Sequence, residues 1–195
     1  MHGLINRAIQ SFVSDTYGAA RWRQIAHLSG LGFTEFEAML SYDPAVAPRI
    51  LAAAVRELDK PRETLLEDLG TYLVSHPNTE ALRRLMRFGG ESFLEFLHSL
   101  DDLRERARLA VSDLDLPELE LHERGPGRFR LACRGGPDGV GHVLVGLLRA
   151  MADDYGALVY LELRPDAGGA AEIDITLYES AYAAGRRFEL GAPAL

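Results

Sequence analysis

Apolar residues recur at three- and four-residue intervals through the first half of the chain and at alternate positions through much of the second. Leu4, Ile5, Ala8, Ile9, Phe12 and Val13 predict an amphipathic helix near residues 2–17, with Gly18 placed to end it. A shorter helix is expected around Ala19 to His27. Asp43 before Pro44 marks another start, and Val46, Ile50, Leu51, Ala54, Val55 and Leu58 make its buried face. Pro61 restarts helix through Leu65, Leu66, Leu69, Tyr72 and Leu73. Asn78 is the expected cap of the next, which carries Leu82, Leu85 and Met86 and is broken by Gly89 and Gly90. From Glu91 to about Leu109 the pattern fits one bent helix or two short ones.

Beyond Asp113 the period becomes two. Leu119 and Leu121, then Phe129, Leu131 and Cys133, fall on one side of their strands, with Glu123 to Gly127 as the turn between them. Val140, Val143, Leu144, Leu147, Leu148 and Met151 return to helical spacing, and Gly156 can close that helix. Strands at Leu158–Arg164 and Glu172–Tyr178 follow, joined by a glycine-rich hairpin from Pro165 to Ala170. Helices first and strands after make the fold class α+β, and no repeat or linker divides the chain.

Composition narrows the classes. The 195 residues suit one domain, and an apolar fraction of 47% with 26% charged residues is that of a globular protein rather than a disordered one. No apolar run approaches the roughly 18 residues of a bilayer span. Asn6, Arg7, Gln10 and Ser11 interrupt the N-terminal apolar residues, so no signal peptide is read and a cytoplasmic location is expected. Cys133, the sole cysteine, rules out an internal disulfide and a thiolate zinc cluster. A net charge of −8, with arginines scattered among carboxylates, argues against a nucleic-acid partner.

Two segments carry a family likeness. Phe93-Leu94-Glu95-Phe96-Leu97-His98-Ser99-Leu100-Asp101-Asp102-Leu103-Arg104, with the opening Met1-His2-Gly3-Leu4-Ile5-Asn6, resembles the haem NO/oxygen-binding (H-NOX) domains. The resemblance covers most of the chain. It implies a single sensor domain over 1–195: a helical subdomain over about 1–60, then helices and a four-stranded antiparallel sheet crossed by one long helix over about 61–195. In the family, haem lies between these parts.

The likeness also places site residues. Arg104 stands where the family carries its iron-ligating histidine, and a guanidinium, always protonated, has no lone pair for iron. Pro117 matches the proline that presses on the porphyrin. The family's propionate clamp, Tyr-x-Ser-x-Arg, corresponds to Cys133, Gly135 and Pro137, which cannot reproduce its hydroxyl and guanidinium contacts. Ile5, Leu73, Leu97, Leu100 and Leu144 correspond to the lining of the haem cavity. His142 is the candidate for a substitute iron ligand, against the plainer reading of a helix-terminus histidine.

With both anchors replaced, no cofactor is expected, and haem is the alternative. A large dry void is costly, on the order of 24 cal/mol per Å³, so the cavity must close or take another apolar ligand. Arg104 then offers a cation that could meet the carboxylate of a fatty acid, or else forms an ordinary ion pair with Asp101, Glu105, Asp113 or Asp115. No catalytic constellation is visible, and an enzyme is not expected. The resemblance implies a sensor acting in trans on a histidine kinase, cyclase or chemotaxis receptor. The alternatives are an NO or CO sensor with a substitute iron ligand, and an interaction module with a filled pocket. Oxygen is not the expected gas, since the family's oxygen binders use a distal tyrosine and none stands near His142.

Overall fold

The computed structural model describes residues 2–111, 114, 116–164 and 170–188. Helix α1 (Gly3–Tyr17) is capped by the His2 imidazole, which accepts from the Leu4 N–H, and stops at Gly18, whose φ of 93° favours glycine. Helix α2 (Ala19–Leu28) follows directly. Its Trp22 indole donates to the Thr34 carbonyl at 2.6 Å and ties down the long connection that follows.

Helix α3 (Val46–Leu58) begins three residues after Asp43 rather than at Pro44. The Asp43 carboxylate accepts from the Ala45 N–H and its carbonyl from the Val46 N–H, so Pro44 and Ala45 form a turn ahead of the helix. Helix α4 (Arg62–Ser75) leads to a 3-10 turn at Pro77–Thr79 and then to α5 (Glu80–Arg87). The expected Asn78 cap is not formed. His76 caps the turn through its Nδ1, and the Asn78 amide instead donates to Asp15 at 2.9 Å. Glu91 to Leu109 contains two helices, α6 (Phe93–His98) and α7 (Leu103–Ala110). Ser92 and Glu95 cap the first reciprocally.

Strands β1 (Glu118–Gly125) and β2 (Arg128–Arg134) form a hairpin tighter than the sequence predicted, because Glu123 already pairs with Phe129. Helix α8 (Val140–Tyr155) then crosses to β3 (Leu158–Arg164) and β4 (Ala170–Glu179), and left-handed Gly156 ends it as anticipated. The sheet order is β1-β2-β4-β3, antiparallel throughout. Residues 165–169 of the expected hairpin lie outside the described residues.

Alternation sorts the sheet's two faces. Leu121, Leu131, Ile173 and Leu163 stand in register on the inner face, while Arg130, Asp174 and Glu162 line up on the outer. The inner face joins α6, α7 and α8 in one core around Phe93, Phe96, Leu131, Leu148, Met151 and Ile173. A second core lies among α1, α2, α3 and α4, around Phe12, Trp22, Ile25 and Ile50. Between the cores α4 and α8 cross in close contact: a Cβ at Gly70 would meet the Val143 carbonyl, and one at Gly146 the Glu67 carbonyl, at about 2 Å.

Candidate functional site

Three spaces open where the helical core faces the start of α8. The most apolar is a cleft of about 180 Å³. Ile5, Ala8 and Ile9 reach it from α1, Ala47 and Leu51 from α3, and Leu66, Leu69 and Leu73 from α4. Leu116 and Pro117, just before β1, with Pro137, Val140 and Val143 at the start of α8, complete the wall; Asp138 is its only ionisable member among the described residues. Successive helical turns supply each group of side chains, so the cleft follows from three apolar faces laid side by side. A wider vestibule of about 550 Å³ adjoins it, bordered by His2, Ser41, Pro44, Pro48, Arg62 and Gly136. On the other side of the Gly135–Gly139 turn, a groove of about 470 Å³ is lined by Cys133, His142, Leu163 and Arg164.

Ile5, Leu73, Pro117 and Pro137 therefore meet in one cleft. Gly136 seats against Pro117, where a Cβ would come to 3.2 Å. Leu97, Leu100 and Leu144 are buried in the sheet-side core instead and do not line the cleft. Gly135 adopts φ of 72° in the turn. Cys133 is on the inner face of β2, and burial pushes its thiol up to about 11, which keeps it neutral at pH 7.

His142 also turns elsewhere. Its Nδ1 lies 3.5 Å from the Glu67 carboxylate, which Arg149 approaches to 3.1 Å, and its ring borders the groove rather than the apolar cleft. Arg104 is half-buried in the first turn of α7 and is not among the residues lining these three spaces, so the expected cation on the cleft wall is not supplied from position 104. Of the acids near it in sequence, Asp101 accepts from the Leu121 N–H at 2.8 Å, and Glu105 pairs with Arg108. Asp113 and Asp115 lie outside the described residues.

At the positions that the resemblance assigns to the iron ligand and the propionate clamp, the residues present do not match a histidine-ligated, propionate-clamped haem: Arg104 has no donor lone pair, and Cys133, Gly135 and Pro137 supply a buried neutral thiol, a glycine and a proline. Sequence reasoning missed Arg62, Asp138 and the cleft-facing role of Leu51, Leu66, Leu69 and Val143. Their helical spacing showed that these leucines and the valine were buried, but not against what.

The Haem-NO-binding family model matches residues 2–163. Among curated proteins, the soluble guanylate cyclase gcy-31 of Caenorhabditis elegans is 22% identical over 154 residues, which is 79% of this chain and 22% of that protein. Soluble guanylate cyclase 89Db of Drosophila melanogaster is 21% identical over 155 residues, 80% of this chain and 23% of that one. The matched region thus spans less than a quarter of these relatives. Among solved structures, the Fe(II) unliganded H-NOX protein from K. algicida superposes with a TM-score of 0.78 at 17% identity, covering 94% of this chain and 100% of that one. The S. oneidensis H-NOX protein in the Fe(II)NO state gives 0.77 at 15% identity, covering 92% and 100%. The family match over most of the chain, in a fold that superposes on H-NOX proteins, establishes the membership: this chain belongs to the Haem-NO-binding family.

Proposed function

We propose that the chain is a sensory domain of this family that works without histidine-ligated haem, taking an apolar ligand in the cleft between its two cores. The observation that carries this reading is one of donor chemistry: the ligand position holds a guanidinium and the clamp positions hold no matched donors, while Ile5, Leu73 and Pro117 still border an apolar cleft. Burying an apolar ligand there is favourable by about 25 cal/mol per Å² of surface removed from water, which needs no metal bond. The cleft touches α1, α3, α4 and α8 together, so occupancy can bias how the helical core sits against the sheet-side core. That displacement would be passed to a signalling protein in trans, such as a kinase, cyclase or chemotaxis receptor. The domain itself carries out no chemistry in this reading.

The test is absorbance of the full chain produced with ample haem supply. The expected result is no stoichiometric Soret band, and a fully loaded Soret band would overturn the reading in favour of a haem-based NO or CO sensor. In a haem-free preparation, native mass spectrometry should find a small apolar ligand or a protein that accepts one. Refusal of every apolar ligand would leave only an interaction module.

A further inference from the structure

Arg62 is the first residue of α4 and stands at the vestibule beside the Gly135–Gly139 turn. Its Nη2 donates to the Asp138 carbonyl and to the Asp138 carboxylate, each at 2.9 Å. Nη1 and Nε have no hydrogen-bond partner among the described residues, and the guanidinium lies against Gly139, where a Cβ would approach Nη1 to 3.1 Å. We propose that this guanidinium receives the carboxylate of a small apolar acid whose tail enters the 180 Å³ cleft behind it, an inference that rests on the cleft taking an apolar ligand in place of haem.

Three features support that class of ligand. The two spaces adjoin, because Ile5, Ala47, Leu51, Pro137 and Asp138 border both the vestibule and the cleft. The present partner is replaceable: the Asp138 side chain is 90% exposed against 32% for Arg62, and such an ion pair contributes little. A ligand carboxylate can use the planar fork of donors in a drier setting, with its tail buried at the same time. Size sets the tail. An apolar cavity of about 150 Å³ accommodates benzene, so about 180 Å³ suits one ring or a chain of about six carbons. A porphyrin, with four pyrrole rings joined by methine bridges, and a long fatty acid, with many more methylenes, both exceed that size. No lysine or second arginine borders either space among the described residues.

Calorimetric titration of the full chain with hexanoate, and with hexan-1-ol as its uncharged counterpart, tests this. Wild-type protein should bind hexanoate saturably and about tenfold more tightly than the alcohol, and Arg62→Gln should lose that margin while still binding the alcohol. Asp138→Asn, a change at an exposed position, should tighten hexanoate binding by removing a competitor, which guards against misreading a poorly folded Arg62 variant. Hexanoate bound equally by all three proteins, or not at all by protein that binds the alcohol, would overturn the role of Arg62 and leave the apolar-ligand reading standing. Failure of both probes would overturn that reading as well.

Discussion

Asp154, in the last turn of α8, is 1% exposed and faces three arginines. Arg83 donates to its two carboxylate oxygens at 2.8 and 3.3 Å, and Arg87 stands 3.4 Å away with its guanidinium 3.9 Å from the Tyr155 ring centre. Desolvation works against the charge on buried Arg83, but the hydrogen bond and charge of Asp154, with Glu80 beside them, outweigh it and raise its pKa. The same cluster holds the segment after β4, since the Asp154 carbonyl accepts from the Arg186 N–H at 2.8 Å and Arg83 donates to the Arg187 carbonyl. Asp154→Ala should therefore cost about 3–5 kcal/mol in urea unfolding, because it strands buried cations. It should also speed hydrogen exchange at the Arg186 amide; unchanged stability and exchange would show that this cluster holds nothing. Such a pair is hidden in the sequence, where Arg83 is one of several arginines in a charged helix and its partner lies 71 residues away.

At the scale of elements, the crossing of α4 and α8 joins the two cores, and it depends on two missing side chains. Gly70 lets α4 approach Val143, Gly146 lets α8 approach Glu67, and the Thr71 hydroxyl donates to the Gly146 carbonyl at 3.3 Å. Gly146→Ala would gain up to about 1 kcal/mol of helix propensity. It must also push the helices apart, at a typical overpacking cost of about 1–3 kcal/mol or more. The expected outcome is a lower melting temperature in calorimetry; a rise would mean that the helices can separate freely. The sequence revealed both helices through their apolar spacing, whereas a glycine inside a helical run reads only as a weak helix former until its neighbour is known. The break between α6 and α7 has a similar origin. The Ser92–Glu95 cap is local and readable, but two short helices form because each buries its own apolar face against α8 or β1.

Across the whole molecule, acid should weaken the fold through carboxylates that hold separate elements together. The Tyr72 hydroxyl, 2.6 Å from Asp15, is the main cause that lowers the Asp15 pKa, and it links α1 to α4. Arg130, with Arg164 behind it, does the same for Asp174 between β2, β3 and β4. Unfolded aspartate titrates near pH 4, so the stability these pairs add is complete above that value and is lost as pH falls through the lower folded values. Tyr72 and Tyr155 act in the opposite range. Burial raises both, Tyr155 to about 12, so their contribution is complete below the ordinary tyrosine value near 10 and is lost at higher pH. Melting temperature against pH should fall on both sides, with Asp15→Asn flattening the acid limb; an unaltered acid limb would dismiss the Asp15 link. The amino-acid sequence by itself determined the order of helices and strands, the family likeness and the non-coordinating side chain at position 104, because these depend on covalent identity and on neighbours a few residues apart. Only the tertiary structure decided that the cation beside the cleft is Arg62, that Leu97 and Leu100 fill a core, and that Asp154 is enclosed by arginines. Those outcomes depend on how separate helices and strands lie against one another, a matter of contacts between residues far apart in the chain.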